Sequence, residues 1–266
     1  LLVAISGPTS SGKTTVARHL LRLLHSLAPD GPPATQPLLI HEDDFYRSDT
    51  DIPVKDGVQD WDCLEAIDVP VFEAALLEIR GGGRLPDGFK SLELPEDNGS
   101  TADGVHDVPD RAQNDSGISE ALLTRLRERL RDVLEVPSNN GQGTAVKFRV
   151  CLVEGFLLFQ PAMFTTPGVF DLKLLLLASH AAAKQRREAR SGYVTLEGFW
   201  TDPPGYVDKI VWPNYVESHA AYFQNGDVEG AVDERFCRDE AVKPYPPGGL
   251  QHAEGGTIAR MLEWAV

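Results

Sequence analysis

Basic residues are scarce in this chain of 266. Lysine and arginine number 25 against 40 aspartates and glutamates, a formal net charge of −15. A surface this negative repels nucleic acid and acidic membranes, so neither is expected as the main partner. A nucleotide stays compatible, because local basic groups and magnesium bind phosphates inside an acidic protein. Cysteine is equally sparse: Cys63, Cys151 and Cys237 are too few and too scattered for a disulfide framework or a zinc site. Each reads as a small apolar filler or a neutral surface thiol. No apolar run is long enough to span a bilayer, and the longest, Leu172 to Ala178, fits a buried strand. No signal peptide is visible and no repeat is found, so a reducing setting, cytoplasmic or nuclear, is expected. Leu1 already lies inside an apolar run, and a few residues are expected before it in the native chain.

What is present is an ordinary globular composition, 42% hydrophobic and 24% charged. Leu1 to Ile5 is wholly apolar, the mark of a parallel strand buried on both faces. A glycine loop follows, and Val16, Leu20, Leu23, Leu24 and Leu27 then recur at helical spacing over Thr14 to Leu27. Leu38 to Ile40 reads as a second strand, and Val69 to Arg80 as a helix ending at Gly81 to Gly83. Between Glu96 and Glu120 seven acidic residues stand against one basic, with Gly, Ser, Asn and Pro interleaved. Such a stretch buries too little apolar surface to offset its ordering entropy, so residues 95–118 are expected to be a mobile insertion. An amphipathic helix over Ile118 to Val136 carries Leu122, Leu126, Leu130 and Val133 on one stripe. Val146 to Val153 and Leu172 to Ala178 read as further strands, with Ser179 as the cap of an arginine-dense helix from His180 to Arg190. Ala241 to Tyr245 supplies a short fifth strand and Thr257 to Val266 a closing helix. Strands alternating with helices imply an α/β fold, a mostly parallel five-stranded sheet with helices on both faces, in one domain over residues 1–266.

Gly7-Pro-Thr9-Ser10-Ser11-Gly12-Lys13-Thr14 matches the phosphate-binding pattern G-x-x-x-x-G-K-[ST] in full, and it sits between a buried strand and an amphipathic helix. Backbone N–H groups in such a loop point at phosphates, and the following helix adds the positive end of its dipole. Lys13 is expected at the β and γ phosphates and the Thr14 hydroxyl on Mg²⁺, with Thr15 completing the loop. ATP and Mg²⁺ are therefore the expected ligands. His41-Glu-Asp43-Asp-Phe-Tyr46 follows the second strand, where strand ends converge on the ligand crevice. A carboxylate there takes the proton of an attacking hydroxyl and helps hold magnesium; the alternative is a solvated acidic turn. Glu154 ends an apolar strand before Gly155, the place for a second carboxylate near the metal, against the alternative of a surface residue. Arg186 and Arg190 share a helix face and Arg187 points about 100° round from Arg186. With Lys184 they are placed to grip ATP and substrate separately, or else form a solvated basic helix.

These residues resemble the nicotinamide riboside kinases, within the uridine-kinase-like group of P-loop kinases. The resemblance rests on Gly7 to Thr15, Asp43 to Tyr46, Trp61-Asp62, Glu154 to Phe159, Arg186-Arg187-x-x-Arg190, Asp202 to Tyr206 and Val211 to Tyr215. It covers roughly residues 1–80 and 146–220. It implies a P-loop kinase fold with an arginine-rich lid over about 184–206. It makes Asp43 the catalytic base and, with Thr14, a magnesium partner. Trp61 then stacks on the pyridine ring and Asp62 holds the ribose hydroxyls, with Tyr46 also on the substrate side. Arg187 assists at the substrate, Arg186 and Arg190 belong to the lid over ATP, and Tyr193 closes the other side of the base. Residues 81–145 exceed what a compact member needs, and the last forty align poorly, which leaves the adenine contacts undefined. The implied reaction is transfer of the γ-phosphoryl of ATP to the 5′-hydroxyl of nicotinamide riboside, so the expected partner is a small-molecule nucleoside; no protein partner is inferred and the oligomeric state is left open. The rival readings are a uridine or cytidine kinase and a nucleotide-dependent switch protein.

Overall fold

The computed structural model describes residues 1–27, 36–82, 89, 91, 118–134, 149–190, 192–250 and 257–266. The chain opens with β1 (Leu2–Ser6), a loop and α1 (Lys13–His25), followed by β2 (Leu38–His41) and a 3₁₀ turn, Glu42–Phe45. A two-stranded hairpin, β3 (Val54–Lys55) and β4 (Val58–Gln59), precedes α2 (Val69–Gly82) and α3 (Glu120–Leu134). Then come β5 (Cys151–Gly155), β6 (Leu172–Leu176), α4 (His180–Glu188) and a second hairpin, β7 (Tyr193–Val194) with β8 (Phe199–Trp200). A π-helical segment (Val207–Val211) runs directly into α5 (Trp212–His219), and α6 (Glu234–Asp239), β9 (Val242–Tyr245) and α7 (Ile258–Ala265) complete the order.

Five strands form one sheet in the order β2-β5-β1-β6-β9, and every pairing is parallel. Parallel sheets need cover on both faces, and the alternation of side chains supplies two apolar surfaces. Leu2, Ala4, Leu38, Ile40, Cys151, Val153 and Leu175 face α2, α5 and α6 through Phe72, Leu76, Tyr215 and Cys237. Ile5, Leu152, Leu174 and Leu176 face α1, α3 and α7 through Val16, Leu20, Leu126, Met261 and Leu262. The sheet register sets His41 opposite Glu154 and Ser6 opposite Gly155, so three strand ends converge at one crevice.

The expected five-stranded parallel α/β architecture is the one observed. Boundaries moved by a few residues. The third strand begins at Cys151 and runs through Gly155, which puts Glu154 inside the strand; residues 146–148 of the expected strand lie outside the described part. The arginine-dense helix stops at Glu188, so Arg190 stands beyond its end. The expected insertion, residues 95–118, lies outside the described residues except for Ile118. Ser179 caps α4 as expected, its hydroxyl accepting from the N–H of Ala182 at 3.3 Å. The hairpin β3–β4 was not anticipated, although Asp56-Gly57, both at positive φ, is the pair that a tight two-residue turn demands. Among the described residues no helix is long and apolar enough to cross a membrane.

Helix α2 is tied to the loop after β5 by Glu73, whose carboxylate accepts from the N–H groups of Thr165 and Thr166 at 3.3 and 2.6 Å and from the Thr165 hydroxyl. Hydrogen bonds from Thr166 and Thr165 hold this carboxyl down at about 2, against an ordinary 4.5. A depressed folded-state pKa contributes stability above the unfolded value and loses it as pH falls through the folded value. The gap in melting temperature between the wild type and Glu73→Gln should therefore be constant from neutral pH to about 4.5 and should narrow steadily as pH falls to about 2.

Candidate active site

The loop between β1 and α1 is shaped by contacts that leave no room for side chains. Gly7 has φ 148°, and a Cβ on it would run into the carbonyl oxygen of Leu176 on β6. Helix α1 starts at Lys13 with no side-chain cap and no acid in its first turn, so its N-terminal N–H groups face the loop. The Ser10 and Ser11 hydroxyls are buried there without a hydrogen-bond partner, a cradle of donors suited to phosphate oxygens. Lys13 folds across it, its ammonium donating to the carbonyl of Pro8 at 3.0 Å. Burial lowers the Lys13 pKa, and the nearby carboxylates Glu154, Asp43 and Glu42 oppose that shift.

Opposite Lys13, Glu154 carries a compact hydrogen-bond array. Its Oε1 accepts from the Thr14 hydroxyl at 3.0 Å and pairs with Nδ1 of His41 at 2.7 Å. Burial alone would raise this carboxyl; contacts with His41, Lys13 and Thr14 outweigh it and hold the pKa below the ordinary value. His41 lay within the acidic segment singled out in the sequence but was not selected. The parallel register makes it a neighbour of Glu154, and that pairing joins positions 113 apart in the chain. Glu42 was also missed. It is fully buried, accepts the Leu157 N–H at 3.1 Å, and occupies the space that a Cβ on Gly155 would take. Burial pushes its carboxyl up to about 8, opposed by the Leu157 N–H and aided by Asp43, so it adds little negative charge beside Asp43 at neutral pH. Thr14, Asp43 and Glu154 line one cavity and offer only oxygen, the donor type that Mg²⁺ prefers. Among the described residues no group of three or more His, Cys, Asp or Glu is arranged to hold a metal ion.

The far wall of the same cavity is built by Tyr46, Trp61, Asp62, Arg187, Arg190, Tyr193 and Trp200. Arg187 binds Asp62 through two contacts of 2.7 and 2.9 Å and Asp202 through two more of 2.7 and 3.2 Å, and it reaches Thr9 of the phosphate loop at 3.4 Å. Its guanidinium also lies over the rings of Tyr193 and Tyr206, at 5.0 and 5.4 Å. Burial pushes the Asp62 carboxyl upward against Arg187, whereas the partners of Arg187 hold its proton more firmly against burial. The two shifts favour opposite states of the pair, and the bidentate geometry fits the ionised one. Trp61 is buried and meets Trp200 at 5.8 Å between ring centroids and Tyr46 edge-on at 5.4 Å.

The cavity thus joins the sequence-selected residues Thr9, Ser10, Gly12, Lys13, Thr14, Thr15, Asp43, Tyr46, Trp61, Asp62, Glu154, Arg187, Arg190 and Tyr193. Gly7 and Ser11 shape the loop without lining the space, and Arg186 is exposed, donating to the Ser10 carbonyl at 3.1 Å. Phe156, Thr195 and Trp200 line it without having been selected. The aromatic next to Trp61 from the 193–200 hairpin is Trp200; Tyr193 instead packs against Arg187 and Arg190. Thr195 donates to Asp49 at 2.7 Å and Ser48 to Glu197 at 2.5 Å, tying that hairpin to the segment after Tyr46. Removing one partner of a buried pair strands the other charge, at a cost of about 3–5 kcal/mol. Arg187→Ala should lose about that much in urea denaturation, and the Asp62→Ala/Arg187→Ala double variant should lose less than the sum of the two singles.

No family model matches the chain. It is 35% identical over 254 residues to the nicotinamide riboside kinase of Schizosaccharomyces pombe, an alignment covering 95% of this chain and 94% of that one. The nicotinamide riboside kinase of Saccharomyces cerevisiae is 35% identical over 266 residues, covering 99% of this chain and 93% of its own. That of Eremothecium gossypii is 37% identical over 248 residues, covering 91% and 87%. Similarity of this extent, over a P-loop kinase fold whose phosphate cradle opens onto a wall of aromatic and acidic groups, places the chain in the nicotinamide riboside kinase family.

Proposed function

We propose that this protein transfers the γ-phosphoryl group of ATP to the 5′-hydroxyl of nicotinamide riboside, giving nicotinamide mononucleotide and ADP for NAD salvage. The observation that carries this reading is the continuity of one cavity from the Lys13 cradle, past Asp43, to Trp61, Asp62 and Arg187. The names of the relatives support the choice of substrate. The whole chain is read as one kinase domain, acting in the cytoplasm.

In this mechanism the phosphate loop, from Gly7 to Thr15, binds the triphosphate through backbone N–H groups, with Thr9, Ser10 and Ser11 adding hydroxyls. Lys13 neutralises charge on the β and γ phosphates. Thr14, Asp43 and Glu154 would hold Mg²⁺, which would supply charge neutralisation across the phosphates. The Thr14 hydroxyl donates a hydrogen bond to Glu154, which leaves its oxygen lone pairs available. Asp43, in the turn after β2, orients the 5′-hydroxyl and accepts its proton. Trp61 presents an aromatic face to the cationic pyridinium, with Tyr46 beside it and Trp200 from the hairpin, and Tyr193 contributes through its ring over Arg187. Asp62 accepts hydrogen bonds from the ribose diol, steadied by Arg187. The segment 184–206 acts as the lid, with Arg186 and Arg190 over ATP, and its closure excludes water that would compete as acceptor.

A coupled ADP-release assay with ATP and Mg²⁺ tests this directly, comparing nicotinamide riboside, uridine and cytidine at equal concentration. Turnover should be strong with nicotinamide riboside and weak with either pyrimidine nucleoside. Preference for a pyrimidine would keep the kinase and discard the substrate, and no stimulation by any nucleoside would favour a switch protein. Asp43→Ala should lower kcat by about 10²–10⁴-fold while calorimetric ATP binding persists; loss of ATP binding in a folded variant would refute the assigned role.

A further inference from the structure

Two residues in the segment Asp202 to Tyr215 have no part in the reaction as described, yet both reach the stretch that bears Trp61 and Asp62. That stretch, residues 60–62, belongs to no helix or strand, so its backbone groups need partners from elsewhere. The Asp60 N–H donates to the Pro53 carbonyl at 2.7 Å. The Trp61 N–H donates to the Tyr206 hydroxyl at 3.0 Å, and that hydroxyl in turn donates to the Gln59 carbonyl at 3.1 Å. The Asp62 N–H donates to the Asp60 side chain at 3.1 Å. Asp60 is itself buried, and both of its carboxylate oxygens accept from the amide Nδ2 of Asn214 at 2.9 Å, which also donates to the Asp62 carbonyl at 3.1 Å.

The orientation of the Asn214 amide follows from chemistry on its other side. Lys55, on the β3–β4 hairpin, has only donors and gives one to Oδ1 at 3.1 Å. The NH₂ end is thereby committed to Asp60 and Asp62. Tyr206 and Asn214 are eight residues apart on one continuous helical run. On a plain α-helix eight residues rotate through about 800°, leaving two side chains about 80° apart. The run here begins with the π-helical turn Val207–Val211, whose i→i+5 bonding widens the turn, reduces the rotation per residue and narrows that gap. Both side chains then reach the same four-residue stretch, Gln59 to Asp62.

We propose that Tyr206 and Asn214 are positioning residues for nucleoside recognition, holding the backbone of residues 59–62 so that Trp61 and Asp62 face the cavity, with the π-helical turn setting their common register. The inference rests on the proposed function, because it concerns the half of the cavity that takes the nucleoside. It predicts a division between the two substrates: among the described residues the hydrogen bonds of the Asn214 amide and the Tyr206 hydroxyl go to Lys55 and residues 59–62 and not to residues 7–15, so ATP should not sense their loss.

Tyr206→Phe removes one hydroxyl and keeps the ring, and Asn214→Ala removes the amide. Steady-state kinetics with ATP and nicotinamide riboside, calorimetric ATP binding and melting temperature should be measured for wild type and both variants. Each variant should raise the KM for nicotinamide riboside by about three- to tenfold, the net worth of one or two hydrogen bonds, with the KM and affinity for ATP unchanged. An unchanged riboside KM in both variants of an active enzyme would overturn the inference. So would a parallel rise in both KM values with a lowered melting temperature, the mark of a general structural role. A wild-type protein that does not phosphorylate the riboside would instead remove the proposed function, and this inference with it.

Discussion

The site hangs on one buried cation. Arg187 leaves helix α4 and ends in a guanidinium that lies over the rings of Tyr193 and Tyr206 and shares its N–H donors among Asp62, Asp202 and Thr9. Those partners belong to the stretch after β4, the segment after the β7–β8 hairpin and the loop between β1 and α1. A planar guanidinium can serve all three because its donors are fixed in a fork, whereas an ammonium is a point charge that would serve one well. Burying a charge costs more than a surface ion pair returns. The arrangement is therefore better understood as fixing relative position than as adding stability. One side chain thus ties three separate segments that border the cavity.

Around that cation the acidity of the chain is handled locally. Three carboxyl groups, Glu42, Asp43 and Glu154, crowd the ends of β2 and β5 beside Lys13. Their mutual repulsion is relieved by different means at two of them. Glu154 is surrounded by donors, His41, Thr14 and Lys13, and keeps a depressed pKa. Glu42 sits against the backbone at Gly155 and Leu157, and burial raises its pKa so far that it is largely neutral. Environment thus divides chemically similar side chains into different charge states at the ends of two neighbouring strands. In a chain of net charge −15, Lys13 and His41 stand beside these carboxyl groups where the parallel strands end.

Much of this was legible beforehand where the signal is local. Leu1 to Ile5 reads as a buried parallel strand because nothing polar interrupts it, and the phosphate loop reads from spacing alone. Ser179 declares the start of α4, and its hydroxyl does cap it. Asp56-Gly57 carried a readable hairpin signal that the strand-and-helix reading passed over. The resemblance pointed to Trp61, Asp62 and Arg187 before any geometry was known, and the cavity gathers all three.

Other features have no local signature. His41 and Glu154 meet because β2 and β5 lie side by side in a register that only the assembled sheet decides. Trp200 reaches Trp61 because a hairpin is pinned to Ser48 and Asp49 from far along the chain. The π-helical turn before Trp212 leaves no mark in composition or periodicity. The sequence by itself determined the parallel α/β class, the phosphate cradle and the identity of most groups in the site, since these follow from short-range pattern and backbone sterics. Only the tertiary structure decided which carboxylate is charged, which aromatic ring meets Trp61 and which side chains bond to the backbone of residues 59–62, because burial and long-range hydrogen bonding exist only once the strands and helices are packed.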